Sequence, residues 1–166
     1  TTAGSYLIDL DQASIIDSCF FKATSITGSG TLSMIAVSAT GGTIRNTIIT
    51  GCKNGSDTNC RGINSGSAFN IYNCTITGCY YGICNWGSTI SAINCAVFNN
   101  DDDFYSASGV NYCASDDGDG TNHVHLNENA SGEWAAAFTD YANGDFSVKD
   151  TDSVLYDAGT DLSAYF

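Results

Sequence analysis

The ten residues NIYNCTITGC, Asn70–Cys79, decide how this chain is read, because close variants of them recur on both sides. TIRNTIITGC occupies Thr43–Cys52, AINCAVFNN occupies Ala92–Asn100, and a looser relative, SIIDSCFFKA, spans Ser14–Ala23. Aligned on one polar position, the four segments are anchored at Asp17, Asn46, Asn73 and Asn94, at spacings of 29, 27 and 21 residues. Two residues before each anchor stand Ile15, Ile44, Ile71 and Ala92, and three after it stand Phe20, Ile49, Ile76 and Val97. Both positions are apolar in every copy. A second register agrees with the first. RGINSGS (Arg61–Ser67) leads into Asn73 and YGICNWGS (Tyr81–Ser88) leads into Asn94, each Gly-Ile pair lying 11 or 12 residues ahead of its anchor.

Short β-branched runs punctuated by Gly, Asn and Ser, at a period of 20–30 residues, describe stacked coils of parallel strands. Leucine-rich repeats share the period but need a leucine framework that this chain lacks. Stacking at about 4.8 Å makes equivalent positions neighbours, so that like residues form ladders. The expectation is an all-β solenoid with apolar ladders at Ile44/Ile71 and Ile49/Ile76/Val97 and an inward asparagine ladder that includes Asn73. Coils are expected over residues 1–113, with a less regular acidic segment, 114–166, packed on the side or end of the stack. Within that segment EWAAAFTDY (Glu133–Tyr141) is the one stretch expected to form a short helix, placed to cap an end. Each end of such a stack exposes unpaired strand edges.

The N-C-x-[IV] coils, the Gly-Ile strand starts and the uneven coil lengths resemble the right-handed parallel β-helix superfamily. That superfamily includes pectate lyases, polygalacturonases, phage tailspikes and many bacterial surface proteins. The tail Gly144–Phe166, with Asp157-Ala158-Gly159, resembles the segment that closes many secreted or phage-encoded β-helix proteins. In those relatives an Arg-bearing and Gly-Ala-Tyr-Glu stretch follows, which implies that this chain is a short member or a piece of one. The resemblance specifies the fold and says little about activity.

Composition narrows the function. The 166 residues include 18 glycines and no proline, and 43% are hydrophobic, a strand-and-turn vocabulary rather than a disordered one. A formal charge of −13, from 18 acidic and 5 basic residues, repels nucleic acid and anionic lipid. No apolar run approaches the ~20 residues that cross a bilayer, so membrane insertion is not expected. No basic, then apolar, leader opens the chain.

Eight cysteines raise the question of disulfides. Cys74 and Cys95 occupy equivalent positions in adjacent coils, as do Cys52 and Cys79. Stacked equivalents have nearly parallel Cα–Cβ vectors, which suits packed free thiols better than bridges. The best candidate bridge is Cys52–Cys60, around the loop KNGSDTN. Zinc would need tighter paired spacing than the C-x4-C of Cys79 and Cys84.

Candidate chemistry is sparse. Asp101, Asp102 and Asp103 invite comparison with the carboxylate pair of glycoside hydrolysis. Adjacent aspartates on a strand point to opposite faces, however, and a solvated turn after Asn99-Asn100 accounts for them. The Asn-Thr-Asp, His-Gly and Arg-Ile-Lys elements of polygalacturonases have no counterpart here. The basic residue that pectate lyases use beside Ca²⁺ would have to come from Lys22, Lys53, Lys149, Arg45 or Arg61; Arg45 and Arg61 are the nearest to a candidate base, and neither sits in a recognisable acidic constellation. Asp116, Asp117 and Asp119, around Gly118 and Gly120, form the most metal-like stretch and could supply oxygens to Ca²⁺. His123 and His125 would share a strand face but lack an evident third ligand. Asn54, Asn73 and Asn129 begin N-x-S/T acceptor patterns. Tyr80, Tyr81 and Trp86 cluster at turns of two coils, where they could stack on glycan rings, while Phe98, Phe104, Tyr105 and Tyr112 are expected to cap the last coil.

Together these readings lead to a non-catalytic structural or adhesive module on a virion or cell surface, of the phage decoration or tail-associated type. It would act with other protein subunits and as a homo-oligomer, with Ca²⁺ as the one cofactor considered. The alternatives are a polysaccharide hydrolase or lyase, with its site between protomers, and a carbohydrate-binding module using Tyr80, Tyr81 and Trp86.

Overall fold

The computed structural model describes residues 5–23, 31–53, 59–127 and 132–163. The molecule is nearly all β, and its strands stack into three parallel sheets. The first contains β1 (Ser5–Leu10), β4 (Leu32–Val37), β7 (Cys60–Ser65), β10 (Tyr81–Asn85) and β13 (Asp102–Tyr105), in that order. The second contains β2 (Ile15–Asp17), β5 (Thr43–Arg45), β8 (Phe69–Tyr72), β11 (Ile90–Ile93) and β14 (Val110–Asn111). The third contains β3 (Phe20–Lys22), β6 (Ile48–Thr50), β9 (Thr75–Thr77), β12 (Ala96–Phe98), β15 (Ala114–Ser115) and β16 (Val124–His125). The chain thus visits the sheets in rotation, and parallel pairing continues through Val124–His125.

Apolar ladders run through the stack. Ile8, Ile35, Ile63, Ile83 and Phe104 align in the first sheet. Ile16, Ile44, Ile71, Ala92 and Val110 align in the second, and Phe21, Ile49, Ile76 and Val97 in the third. The central isoleucines are wholly buried, and each such side chain contributes about 1.5–3 kcal/mol relative to exposure.

The corner between the second and third sheets explains why the opening motif recurs. Asn46, Asn73, Asn94 and Tyr112 all have positive φ, 50–56°, as does Ser18 in the first coil. Asparagine tolerates this left-handed conformation better than most residues. Asn73 Nδ2 donates to Asn46 Oδ1 at 3.3 Å, and Asn46 Nδ2 donates to Asp17 Oδ1 at 2.9 Å. The asparagine ladder is therefore real, but Asn46 and Asn73 are exposed rather than inward. A left-handed corner turns its own side chain out and the next one in. That next residue is Cys19, Thr47, Cys74, Cys95 or Cys113, and each donates its Sγ or Oγ1 hydrogen to the carbonyl two residues earlier, at 2.8–3.4 Å. None of the eight cysteines is joined in a disulfide, so the candidate Cys52–Cys60 bridge is absent. Burial raises the Cys95 thiol well above its ordinary range.

The first coil is offset by one residue from the expected frame. Ser18, not Asp17, stands under Asn46, and Ile16 and Phe21, not Ile15 and Phe20, enter the interior ladders. Ile15 and Phe20 are 66% and 59% exposed. A one-residue slip exchanges the two faces of a strand.

The C-terminal segment lies on the side of the stack. It consists of α1 (Glu133–Ala137), β17 (Phe138–Asp140), a 3₁₀ turn (Tyr141–Asn143) and β18 (Asp145–Val148), with β17 and β18 antiparallel. The helix is shorter than expected because Phe138 turns extended to join Phe98, Trp134 and Phe146 in an aromatic cluster against the third sheet. It caps neither end. Phe98 belongs to this cluster, Phe104 to the interior and Tyr112 to the corner, so they do not form the expected common cap. Further along, Asn94 Oδ1 accepts from Thr160 N and Asn94 Nδ2 donates to Thr160 O, both at 2.8 Å. Leu162 packs with Tyr72 and Ile93.

Candidate functional site

The outer face of the first sheet carries the candidate site. Register places Arg61, Tyr81 and Asp102 in one row across β7, β10 and β13, and Asn64, Cys84 and Tyr105 in the next. Glycine sets this geometry. A Cβ on Gly82 would meet Val97 Cγ1 at 2.5 Å and Asp103 O at 2.7 Å, so the backbone presses into the core there. Ile83 follows it inward, leaving Tyr81 and Cys84 on the outside.

Three rings form a continuous strip on this face. The centroids of Tyr81 and Tyr105 lie 4.4 Å apart at an interplanar angle of 37°, and those of Tyr105 and Trp86 lie 5.2 Å apart at 52°. Trp86 is 53% exposed. Its Nε1 donates to Asn64 Oδ1 at 3.0 Å, and the Arg61 guanidinium sits 5.0 Å from its ring centre. Arg61 Nη1 donates to the same Asn64 oxygen at 3.2 Å, while Arg61 Nε is buried without a hydrogen-bond partner. Asn64 therefore fixes both the indole and the cation. Of the expected trio, Tyr81 and Trp86 are united through Tyr105. Tyr80 meets Tyr81 edge-on at 4.7 Å and also packs against the interior.

Beneath the strip Cys84 is wholly buried, and burial pushes its thiol up to about 11. It is protonated at neutral pH and makes a poor nucleophile. Burial likewise raises Tyr81, with the neighbouring Tyr80 and Tyr105 adding to it, so its phenol is neutral and can donate a hydrogen bond.

The acidic residues gather at the C-terminal end of the stack, adjoining the strip through Asp102. Asp103 is not in a solvated turn. It is fully buried, accepting from Asn100 Nδ2 and Asp116 N, both at 2.9 Å. Its own N–H donates to Asp117 Oδ2 at 2.9 Å, and Asn99 N donates to Asp116 Oδ2 at 2.8 Å. Ser115 Oγ accepts from Gly118 N and Asp119 N. These oxygens supply the bonds that another coil would otherwise have provided. Asp101 pairs with Lys53.

Burial and the adjoining Asp116 carboxyl push Asp103 up to about 9, and burial with the charges of Asp117 and Asp102 pushes Asp119 up to about 6. Burial, then the charge of Asp117, raises Asp102. Asp119 Oδ2 is buried without a partner, yet among the described residues no three His, Cys, Asp or Glu side chains are placed to hold a metal ion. The carboxylates of Asp116 and Asp117 are engaged by backbone N–H groups instead. His123 and His125 flank Gly118, bonded to Gly120 O and Asp116 O respectively. Asn54 and Asn129, with most of the loop after Lys53, lie outside the described residues.

Sequence reading missed Tyr105, Arg61 and Asn64 as members of the strip. The signal was present, since R-G-I-N at Arg61, Y-G-I-C at Tyr81 and D-D-F-Y at Asp102 occupy equivalent rungs. Asp103 in place of the glycine concealed the third. Comparison with protein-family models finds no match, and neither do comparisons with curated proteins and with solved structures.

Proposed function

We propose that the chain is a right-handed parallel β-helix serving as a structural and adhesive module on a virion or cell surface, with glycan bound along the first sheet. The Tyr81–Tyr105–Trp86 strip carries this reading. Partly exposed aromatic rings, with donors and acceptors fixed beside them, suit a sugar, which has an apolar face and a polar rim. The three-sheet stack supplies a rigid base for the strip. Exposed Leu7, Ile15 and Phe20 on the first coil, whose strands form sheet edges, support contact with other protein subunits. The absence of a family match leaves the superfamily name resting on the coil and tail motifs.

The test is a glycan-array screen followed by calorimetry on any hit. Trp86→Ala is expected to weaken binding at least tenfold while thermal unfolding stays close to that of the parent, since Trp86 is half exposed. Full-strength binding by this variant would remove the strip from the reading.

A second reading, polysaccharide hydrolysis, is favoured by one observation. Asp119 titrates near 6 and Asp102 is raised, so carboxyls suited to proton donation adjoin the aromatic strip. Release of reducing ends from a bound glycan, abolished in Asp119→Asn, would decide for hydrolysis.

A further inference from the structure

We infer that the strip selects a disaccharide-sized segment of a soluble, neutral glycan chain, rather than a crystalline polysaccharide surface or a uronate-rich polymer. This inference rests on the glycan-binding reading above and narrows it.

Ring geometry supplies the first argument. Successive planes are rotated by 37° and 52°, so the three rings cannot lie flush on one flat surface. They can follow a single chain whose sugar rings turn from one unit to the next. The centroid steps of 4.4 and 5.2 Å limit the strip to no more than about 10 Å, which sets the short segment length. The fold causes the rotation. Tyr81 and Tyr105 stand on neighbouring coils and in different rows, while Trp86 leaves the end of β10 with its indole tied to Asn64.

Charge supplies the second argument. Arg61 is the strip's cation, and its guanidinium is committed to the Trp86 face and to Asn64 Oδ1. On the other side of Tyr81 stands Asp102, with Asp117 close enough to influence its titration. A uronate would meet this acid within a molecule of net charge −13, and its carboxylate would find no unengaged cation in the strip. Sugar hydroxyls suit the same groups better. They can donate to Asp102, and accept from the Asn64 NH₂ group and the Tyr81 phenol.

The experiment compares three probes on the intact chain: soluble neutral oligosaccharides of graded length, polygalacturonate, and a washed crystalline neutral polysaccharide. Calorimetry reads the soluble probes and sedimentation reads the insoluble one. Binding of the soluble neutral probes is expected, with affinity levelling off after the first few sugar units. Tyr105→Ala and Trp86→Ala are each expected to weaken it at least tenfold, with circular dichroism confirming the fold. Preferential binding of polygalacturonate, or retention on crystalline polysaccharide alone, would overturn the inference and leave the glycan-binding reading standing. No binding to any probe, or to a wider glycan array, would overturn both.

Discussion

Replacing Asp103 with asparagine should change how stability depends on pH more than it changes stability at any one pH. Asp103 is fully buried, and its carboxyl titrates near 9 in the folded protein, against about 3.9 in an unfolded chain. Between these values the folded state holds a proton that the unfolded state has released. Stability therefore falls as pH rises across that window, at up to about 1.4 kcal/mol per pH unit. From pH 4 to pH 7 the loss attributable to this residue is about 4 kcal/mol.

Asparagine cannot ionise, so the variant should lack this slope. It carries its own defect, because an amide NH₂ cannot accept a hydrogen bond. Either Asn100 Nδ2 or Asp116 N would lose its acceptor, at a cost of about 1–3 kcal/mol. The two effects oppose each other and predict a crossover: the variant is less stable than the parent near pH 4 and more stable near pH 8. Urea unfolding at constant ionic strength, with a reductant present for the free thiols, gives both curves. Titrations shared by the two proteins, including those of Asp102 and Asp119, largely cancel in the difference. A difference that stays constant from pH 4 to pH 8 would refute the claim that Asp103 is protonated inside the folded end of the stack.

Other consequences are as specific. Gly82→Ala would drive a methyl into Val97 and the Asp103 carbonyl and should cost at least about 2 kcal/mol. Gly66→Ala, with open space around its Cβ, should stay within about 0.5 kcal/mol of the parent; equal chemical-denaturation midpoints for the pair would contradict the packing argument. Thr47→Cys should be well tolerated, because the other described corners place a thiol there. Thr47→Val removes the donor to Arg45 O and the acceptor for Cys19 N and should cost about 1–3 kcal/mol. Asn94→Gly keeps the positive φ but loses both bonds to Thr160, so limited proteolysis should clip the C-terminal segment faster while the coils persist; unchanged cleavage would show that other contacts hold the tail.

The coil repeat was legible from residues 43 to 100 because stacking makes the same demand at each level. Asn at a left-handed corner, a small hydrogen-bonding side chain after it and an isoleucine in each strand are local requirements, restated coil by coil. The first coil misled for an equally local reason. SIIDSCFF offers adjacent apolar pairs, Ile15/Ile16 and Phe20/Phe21, and only the pairing of β2 and β3 with their neighbours selects the inward member. Tyr80, Tyr81 and Trp86 could be found as a cluster because they are close in sequence.

What the chain alone could not specify is lateral and long-range. Coil lengths vary, so Tyr105 reaches Tyr81 and Trp86 only through the exact register of β13 on β10. The role of Asp103 depends on Asn100 and Asp116 closing over it, and the place of the tail depends on Asn94 meeting Thr160, 66 residues away. An interior ladder repeats its requirement in every coil and can be read from one of them. An outer face or an end carries no such repetition, and its chemistry is set by which coils, turns and tail residues the fold brings together.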